Sequence, residues 1–565
     1  MKKVFVRLTL AGLAAALCEP GTWAQSVVRA ERAAPAALSA SAGARLATPP
    51  VLAPSPLPSL PAFVALPFSA AAAPAAAAGG DGEPAPRISG PALSASEADS
   101  FMETIANRER GFYQPGVGYD ARTGLTFDSH PVDFASGELR GKPRALSAAS
   151  KESLHLILLI KALQGRREAQ LALSPDPNDP SKAEGAALKT LEAKIGSYET
   201  FGRDYPGYGG FLPWFAIRDG RMIPDAQWAG RVPALDNGEL AWSLYFAANA
   251  LKALGHDRLA RRYQEQLDLM KKNVVPIFFD PVARKIRGVA VLKAGNLTAP
   301  AMNSYATEGY FVDDAYEGLL MVHFADLFGN WSGREEDREA LWAMPLRRLV
   351  DYERKGLRIT VERAWVGSSH EQWGSLVLPF TDEPLAKTLF LNAQRVRTLD
   401  AASRGWPGLR ASTHRPVGDD SSPSYQSDLG IEGIGSDRTS RARIFAPYAA
   451  FPLAAAAKTL FATWLKRMLA APGAWGPYGI GESFNFAGDK HAPVLTWDGK
   501  ALPLIAWLDG ISGDVRRLLI RDGLYDGFRA RVAADYRRFD GLPIEGTDVP
   551  LRAPRAERKA RAGKR

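Results

Sequence analysis

Apolar residues recur every three or four positions along most of the chain after residue 94, and glycine or proline stands at the ends of the resulting segments. This period predicts amphipathic α-helices. The first of them opens with Ser94 and Glu97 at the spacing of a capping box. The predicted helices cover 94–113, 147–165, 186–202, 236–255, 257–273, 313–328, 335–353, 383–403, 447–470, 498–509 and 512–538.

Strict alternation of apolar and polar residues, which marks a half-buried strand, is rare; the best case is GLRITVERAWV at 356–366. Many helices separated by loops in one long stretch predict a single all-α domain. No exact short repeat occurs, which argues against a regular solenoid. We therefore predict an (α/α)6 barrel over 94–545, although periodicity alone does not decide whether the ring of helices closes.

The N-terminal segment has the pattern of a targeting signal. Residues 1–24 combine three basic residues with an apolar run and a small-residue cleavage site. This predicts a secretory signal peptide and a periplasmic or secreted protein. A lipid anchor on Cys18 is the minor alternative, because Leu17 precedes it where a small residue is usual.

Two further segments differ from the helical body. Residues 25–93 are rich in alanine and proline and predict a disordered spacer, and residues 546–565 predict a basic disordered tail. The signal segment and this tail hold most of the net charge of +9. The body is therefore near neutral, and no nucleic-acid surface is predicted. Cys18 is the only cysteine, so we expect no disulfide. No other apolar run is long enough to span a bilayer, so we expect no stable membrane insertion after the signal is cleaved. We also expect a monomer.

Loops rich in aromatic residues, glycine and acids separate the helices. YPGYGGFLPWF at 205–215 contains Trp214, and YATEGYFVDDAYEG at 305–318 sets four carboxylates among four aromatic rings. Flat apolar faces with polar edges suit a carbohydrate cleft, although any ligand pocket mixes such groups. We therefore expect a polysaccharide or oligosaccharide as the partner of these loops.

Glycosidic bond cleavage requires one carboxylic acid with a raised pKa and a second carboxylate that activates water or attacks directly. Glu308 stands among Tyr305, Tyr310 and Phe311, which makes it a candidate for a desolvated acid. Asp313 follows at a predicted helix start. Its structural alternative is to complement the helix dipole.

Three more carboxylates precede apolar helices. Asp236 and Glu239 have the spacing of a capping box, and Asp498 stands where an N-cap is expected. A cap at the mouth of a helical barrel can also face substrate, so both interpretations stay open for these residues.

The sequence does not indicate a metal or a cofactor. The seven histidines are scattered without the spacing of metal ligands, and His370-Glu371 lacks the second histidine of a zinc motif. Phosphate-loop and dinucleotide-binding patterns are also missing.

Six segments, taken in order, resemble the glucoamylase-like (α/α)6-barrel group, and within it glycoside hydrolase family 144 and its β-1,2-glucanase relatives. The resemblance covers roughly 200–515. The segments are DNGELAWSL, YATEGYFVDD, SSHEQWGSLVLPF, FAPYAAFPLAAAAK, GPYGIGESFN and LTWDGKALPLIAWLDGI.

The resemblance implies an inverting endo-hydrolase that acts on β-1,2-glucan without a cofactor. It implies that Glu308 is the general acid and that Asp498 is the base, acting through an intervening water or a substrate hydroxyl. Asp236 and Glu239 would line the sugar subsites. The remaining candidates for substrate binding are Trp214, Asp313, Glu371, Trp373, Tyr478, Glu482 and Trp497.

Three alternatives remain open from the sequence. The same fold could carry a transglycosylase, or a polysaccharide lyase that uses tyrosine as base and acid. The chain could also be a non-catalytic glycan-binding protein of the cell envelope. Residues 99–200 have no match to the family pattern, so chain-length and linkage preference stay undecided.

Overall fold

Fifteen α-helices make up most of the regular structure in the part of the chain that the structure describes. They are α1 (Ala95–Glu109), α2 (Ala149–Leu163), α3 (Arg167–Leu173), α4 (Ala183–Asp204), α5 (Ala234–Ala253), α6 (Asp257–Phe278), α7 (Glu317–Phe328), α8 (Glu335–Ala340), α9 (Gly374–Val377), α10 (Pro384–Arg404), α11 (Pro452–Ala456), α12 (Lys458–Met468), α13 (Trp497–Trp507), α14 (Ser512–Arg521) and α15 (Tyr525–Tyr536).

The structure is a computed structural model. It describes residues 86–133, 135–293, 299–312, 317–343, 347–417 and 424–555, which belong to one compact unit. The predicted signal peptide, almost all of the predicted spacer, the end of the basic tail and Asp313 lie outside these residues. The expectations for those segments therefore stay predictions.

The strands are short and form small sheets around the helices. They are β1 (Ile88–Ser89), β2 (Ser129–Pro131), β3 (Leu146–Ser147), β4 (Phe215–Arg218), β5 (Arg221–Pro224), β6 (Arg231–Pro233), β7 (Phe279–Asp280), β8 (Lys285–Ile286), β9 (Val289–Leu292), β10 (Tyr305–Thr307), β11 (Leu349–Arg354), β12 (Leu357–Glu362), β13 (Thr413–His414), β14 (Tyr425–Gln426), β15 (Ile444–Phe445), β16 (Trp475–Gly476), β17 (Gly479–Ile480), β18 (Phe484–Asn485), β19 (Val494–Thr496) and β20 (Leu551–Arg552). β1 and β20 pair in parallel, so regular structure extends beyond 94–545 at both ends.

Two three-stranded sheets have the orders β3-β4-β5 and β10-β9-β6. The second leads directly into a helix, since β6 ends at Pro233 and α5 begins at Ala234. This sheet therefore places β9 and β10 beside the N-terminus of α5.

The capping box at the start of α1 is confirmed: Ser94 and Glu97 bond reciprocally to each other's backbone. The single helix predicted over 335–353 is wrong, because α8 ends at Ala340 and β11 follows. β11 forms an antiparallel hairpin with β12, which lies within the predicted strand. Ile359 and Val361 of β12 are buried with Tyr352 in a small apolar cluster, and this packing outweighs the helical period.

Two other predicted helices are each broken into two. The segment predicted over 447–470 is interrupted at Ala457, whose backbone is extended. The segment predicted over 512–538 is interrupted at Gly523, which has a φ of 69°. Glycine adopts that left-handed conformation without a steric penalty, so it ends α14 and allows α15 to start in a new direction.

The apolar composition of each helix explains its place in the fold. Helices α2, α5, α7 and α13 are buried along nearly their whole length, as expected for helices that are apolar on all sides. α2 packs against both α5 and α13, and α5 packs against α7. α1, α4, α6 and α12 bury one face only and surround this inner group.

One buried ion pair ties α2 to α4. Lys194 Nζ lies 2.5 Å from Glu152 Oε2, and both side chains are fully buried. The Glu152 carboxylate also accepts hydrogen bonds from the Tyr198 hydroxyl and from the backbone and side chain of Thr126. Each charge therefore depends on the other for its stability in the apolar interior.

We expect Lys194→Met to lower the free energy of unfolding by about 3–5 kcal/mol, because it leaves the Glu152 carboxylate buried without a cation. The matched control is Arg221→Met, since Arg221 pairs with Asp204 at the surface and its loss should cost about 1 kcal/mol or less. Denaturant unfolding of both variants tests this. Equal losses would contradict the assignment.

Candidate active site

The N-terminal turns of several buried helices bring ionisable side chains together. Lys151 lies in the first turn of α2, Asp236 in that of α5 and Asp498 in that of α13. We call the resulting group the acid cluster; it comprises Lys151, Asp236, Glu239, Glu317, His370 and Asp498. All six side chains are buried.

Asp498 is held by two cationic groups. Lys151 Nζ donates to both carboxylate oxygens, at 2.9 and 3.1 Å, and His370 Nε2 lies 3.5 Å from Oδ2. Burial alone would raise the pKa of Asp498, but Lys151 and then His370 hold it well below its usual range. Asp498 is therefore a carboxylate throughout the working range of pH.

His370 joins Asp498 to Glu317. Its Nδ1 lies 2.8 Å from Glu317 Oε1, while its Nε2 faces Asp498. Burial alone would lower the pKa of His370, but the charges of Glu317 and Asp498 raise it to about 10. His370 is thus an imidazolium that donates to a carboxylate on each side.

The pKa values of Asp236 and Glu239 are shifted in the opposite direction, upward. Burial raises the pKa of Asp236, whose oxygens accept hydrogen bonds from Ser150 and from the indole of Trp214. Burial, and then the nearby Glu317, raise the pKa of Glu239 well above its usual range. Glu239 Oε2 has no hydrogen-bond partner among the described residues, so this carboxyl group can hold a proton.

The structure removes the capping interpretation of these acids. α5 begins after Pro233 without any side-chain cap, and Asp236 instead faces Ser150 and Trp214. α13 is capped by Thr496, whose hydroxyl accepts from the Gly499 backbone. Asp498 stands two residues after this N-cap and pairs with Lys151 instead.

Glu482 supports the start of α13. It accepts hydrogen bonds from the Thr496 and Thr413 hydroxyls at 2.5 and 3.0 Å, and His414 Nδ1 lies 3.3 Å away. Its side chain is buried, so Glu482 holds the helix that carries Asp498.

Glu308 differs from the cluster in exposure. It follows β10, and its backbone N–H donates to Val289, which pairs with Pro233 at the start of α5. Glu308 thus lies across β9 from Pro233, the residue before α5. The two neighbouring pairs of strands, β10-β9 and β9-β6, are each spaced by about 4.8 Å. Its carboxylate pairs with Arg231 at 2.8 Å and is 33% exposed. The expected desolvation by its aromatic neighbours is thus only partial.

Three expected cleft residues have other roles in the structure. Trp497 is fully buried against Phe112 and donates to the Gly118 carbonyl, and Trp373 is buried in the core. Glu371 accepts hydrogen bonds from the backbone N–H groups of Trp365, Val366 and Ser368. Trp373 and Trp497 are therefore packed inside the protein and do not lie on a cleft wall. Glu371 is half-buried, and its carboxylate is held by these backbone donors.

The remaining expected residues are Trp214, Tyr478 and Asp313. Trp214 is buried, stacks on Trp228 at 5.7 Å and donates to Asp236. Tyr478 is half-buried, and its carbonyl accepts from Lys500. Asp313 lies outside the described residues.

Sequence reasoning missed Lys151 and the role of His370. A lysine in the first turn of an otherwise apolar helix was the available signal for Lys151, since a cation there must find an anion inside the fold. His370 was considered only as a metal ligand. Within the described residues no group of three or more acid, histidine or cysteine side chains is placed to hold a metal ion.

In the described part of the chain, none of the helices is both long and apolar enough to cross a bilayer.

The fold is of the glucoamylase-like type. A glucoamylase-like protein from Bacteroides fragilis matches with a TM-score of 0.51 at 14% identity, over 80% of this chain and 98% of that one. At that identity the likeness concerns the fold alone.

The chain belongs to the family described as endo-β-1,2-glucanase SGL, glycoside hydrolase family 162, whose sequence model matches residues 125–564. The expected resemblance to β-1,2-glucanases is confirmed, with family 162 rather than 144 as the match. The family model also matches residues 125–200, which lie in the region 99–200 where the quoted segments show no resemblance.

Two solved structures of one fungal enzyme are similar to this chain. The endo-β-1,2-glucanase from Talaromyces funiculosus in complex with sophorose has a TM-score of 0.77 and 32% identity, over 81% of this chain and 94% of that one. A glutamate-to-glutamine mutant of that enzyme with β-1,2-glucan has a TM-score of 0.76, with the same identity and coverage. No curated protein matches the chain.

The raised pKa of His370 predicts a pH-dependent contribution to stability. A pKa of about 10 in the folded state, against about 6.5 in the unfolded chain, makes this contribution complete below about pH 6.5 and lost as the pH rises through about 10. We expect the difference in melting temperature between wild type and His370→Gln to shrink over this range. His256→Gln, at the start of α6, is the control, and a constant difference for His370→Gln would contradict the assignment.

Proposed function

We propose that this protein is an inverting endo-β-1,2-glucanase in which Glu308 protonates the leaving oxygen and Asp498 promotes the attack of water. The observation that carries the proposal is the acid cluster, where Asp498 is fixed as a carboxylate by Lys151 and His370. The family to which the chain belongs and the oligosaccharide complexes of its relatives support the substrate.

We infer that the helices close into an (α/α)6 barrel with α2, α5, α7, α9, α11 and α13 as the inner ring. α2 contacts both α5 and α13, α7 contacts both α5 and α9, and α11 contacts α13. In chain order α6, α8, α10 and α12 each stand between two of these helices, and α3 and α4 both stand between α2 and α5. The alternation supports a ring whose inner helices direct their N-terminal turns toward one end.

The two proposed catalytic acids have environments suited to different tasks. Glu308 is partly exposed, as a group that must reach a bound polysaccharide should be. Its ion pair with Arg231 must open before Glu308 can carry a proton to the glycosidic oxygen. Asp498 is buried and charged, so it can only accept a proton.

The contacts of Asp498 favour an indirect role in activating water. Both of its oxygens already accept from Lys151, which leaves little room for a nucleophilic water in direct contact. A relay through an intervening water or a substrate hydroxyl, as the family resemblance implies, would let Asp498 receive the proton at a distance.

Asp236 and Glu239 are proposed to bind sugar hydroxyls. A protonated carboxyl group both donates and accepts hydrogen bonds, which matches the hydroxyl groups of a glucan. The raised pKa of Glu239 supports this donor role. Trp214 would hold Asp236 in place, and Tyr478 and Glu482 would stay close to the sugar subsites.

The proposed location is outside the cytoplasm. The signal-like segment at 1–24 and the Ala/Pro-rich spacer support a periplasmic or secreted enzyme.

Incubation with β-1,2-glucan tests the function. We expect the wild type to release short β-1,2-gluco-oligosaccharides, with the opposite anomer at the new reducing end seen by NMR during the first turnovers. Glu308→Gln should lower kcat by a factor of about 10² to 10⁴. Glu353→Gln is the matched control, because Glu353 is also an exposed partner of an arginine, at 2.9 Å. Unchanged turnover in Glu308→Gln would remove the acid assignment.

Substitution of Lys151 tests the role of Asp498. Lys151→Met should raise the pKa of Asp498 and shift the acidic limb of the kcat/KM profile upward by about 1–3 pH units. Lys161→Met is the control, since Lys161 lies on the same helix and pairs with Asp514 at 2.9 Å. A loss of kcat without any shift of the limb would contradict this role for Lys151.

A further inference from the structure

A second pocket lies at the C-terminal end of α10, away from the acid cluster. Its volume is about 400 Å³. It is lined by the end of α10, by Trp406 and Arg410, and by Glu432, residues 439–443 and Phe486. None of the acid-cluster residues lines it.

Aromatic rings and arginine side chains form much of the lining. Trp406 and Phe486 have ring centroids 5.3 Å apart. The guanidinium of Arg404 lies 5.0 Å from the centroid of Trp406, and that of Arg443 lies 5.2 Å from the centroid of Phe486. The rings are only half-buried, so they offer apolar surface to a ligand.

Arg410 gives this pocket a buried donor. Its side chain is 8% exposed, and its terminal nitrogens donate to the carbonyls of Gly430, Ser440 and Ala442. Its Nε–H has no partner among the described residues. The three carbonyls hold the Arg410 guanidinium in place at the pocket, 5.3 Å from the ring centroid of Trp406.

The pocket also contains acceptors. Glu432 is exposed and has one long contact, 3.4 Å, with Arg441. Asp400 also lines the pocket, but its buried carboxylate already accepts hydrogen bonds from Tyr352 and Arg404. A simple anion needs donors only and is repelled by carboxylates. A neutral ligand with many hydroxyls needs donors, acceptors and apolar faces together, which is the combination present here.

The pocket connects to the segment that carries His370. The Ser369 hydroxyl donates to the Arg410 carbonyl at 3.2 Å. Ser369, Trp406 and Arg410 also line a small neighbouring cavity. The pocket therefore lies behind the loop that leads into the acid cluster, at the outer end of α10.

We propose that this pocket is a second carbohydrate-binding site, which holds a segment of the glucan chain while another segment occupies the acid cluster. The identity of the glycan rests on the proposed function. Because an endo-acting enzyme releases its polymer after each cut, a second attachment raises the local concentration of chain at the cluster. Only a chain long enough to reach both sites at once binds more tightly because of the second site.

The test variant is Thr439→Ala/Arg443→Ala. The Arg443 side chain makes no hydrogen bond to the described residues and is exposed, so its loss should leave the melting temperature unchanged. We expect KM for long β-1,2-glucan to rise about three- to tenfold, with kcat unchanged and with both constants unchanged for the shortest cleaved oligosaccharide. Arg108→Ala is the matched control, because Arg108 is exposed and also covers an aromatic ring, that of Trp475, at 4.4 Å.

Affinity electrophoresis in gels that contain β-1,2-glucan measures retention without turnover. The wild type and Arg108→Ala should be retained more strongly than the double variant. Equal retention and equal KM for the double variant and the wild type would overturn the proposal. A second result would also overturn it: inorganic phosphate raises the melting temperature of the wild type but not of the double variant, and sophorose has no effect on either. That result would identify an anion site. Failure of the wild type to cleave β-1,2-glucan would instead contradict the proposed function, and retention by other glucans would then identify the ligand of the pocket.

Discussion

The ion pair between Lys151 and Asp498 is the interaction on which the acid cluster depends. Four carboxyl groups, from Asp236, Glu239, Glu317 and Asp498, lie in an interior where an uncompensated charge is very costly. Two cations, Lys151 and the His370 imidazolium, face them. Both cations lie beside Asp498, whereas Asp236 and Glu239 have no cation within ion-pair distance among the described residues. The directions of the pKa shifts agree with this division: that of Asp498 is lowered, and those of Asp236 and Glu239 are raised.

The cluster exists because buried helices present their first turns to one another. N-terminal turns leave backbone N–H groups unpaired and carry partial positive charge, which favours acids there. The sheet β10-β9-β6 then adds Glu308 from a different part of the chain, at the entry of α5. The two acids differ in exposure because of their supporting elements: Glu308 follows the edge strand β10 and is 33% exposed, whereas Asp498 lies in the buried first turn of α13.

Much of the fold was predictable, because apolar residues that recur every three or four positions mark the buried face of a helix. Helices α2, α4, α5, α6 and α10 lie where this pattern predicts them. Asp236, Glu239 and Asp498 were also predictable as acids next to apolar helices. Their partners were not, because Lys151 and Asp498 are 347 positions apart and only tertiary packing brings them together. The hairpin β11-β12 was partly missed for a similar reason, since Tyr352 gains its burial from β12 across the turn.

The strength of the Lys151 clamp also limits how Asp498 can act in the proposed mechanism. A carboxylate with a strongly lowered pKa is a weak base toward water, so direct deprotonation would be slow. In the proposed mechanism the attacking water becomes acidic as its new bond to carbon forms, so Asp498 receives the proton late, through an intervening water or a substrate hydroxyl. The hydroxyl must then be held in place by sugar that extends beyond the cleaved bond. A relay through a substrate hydroxyl would thus make hydrolysis depend on sugar bound beyond the cleaved bond, as an endo-acting enzyme allows, whereas a relay through a water would not.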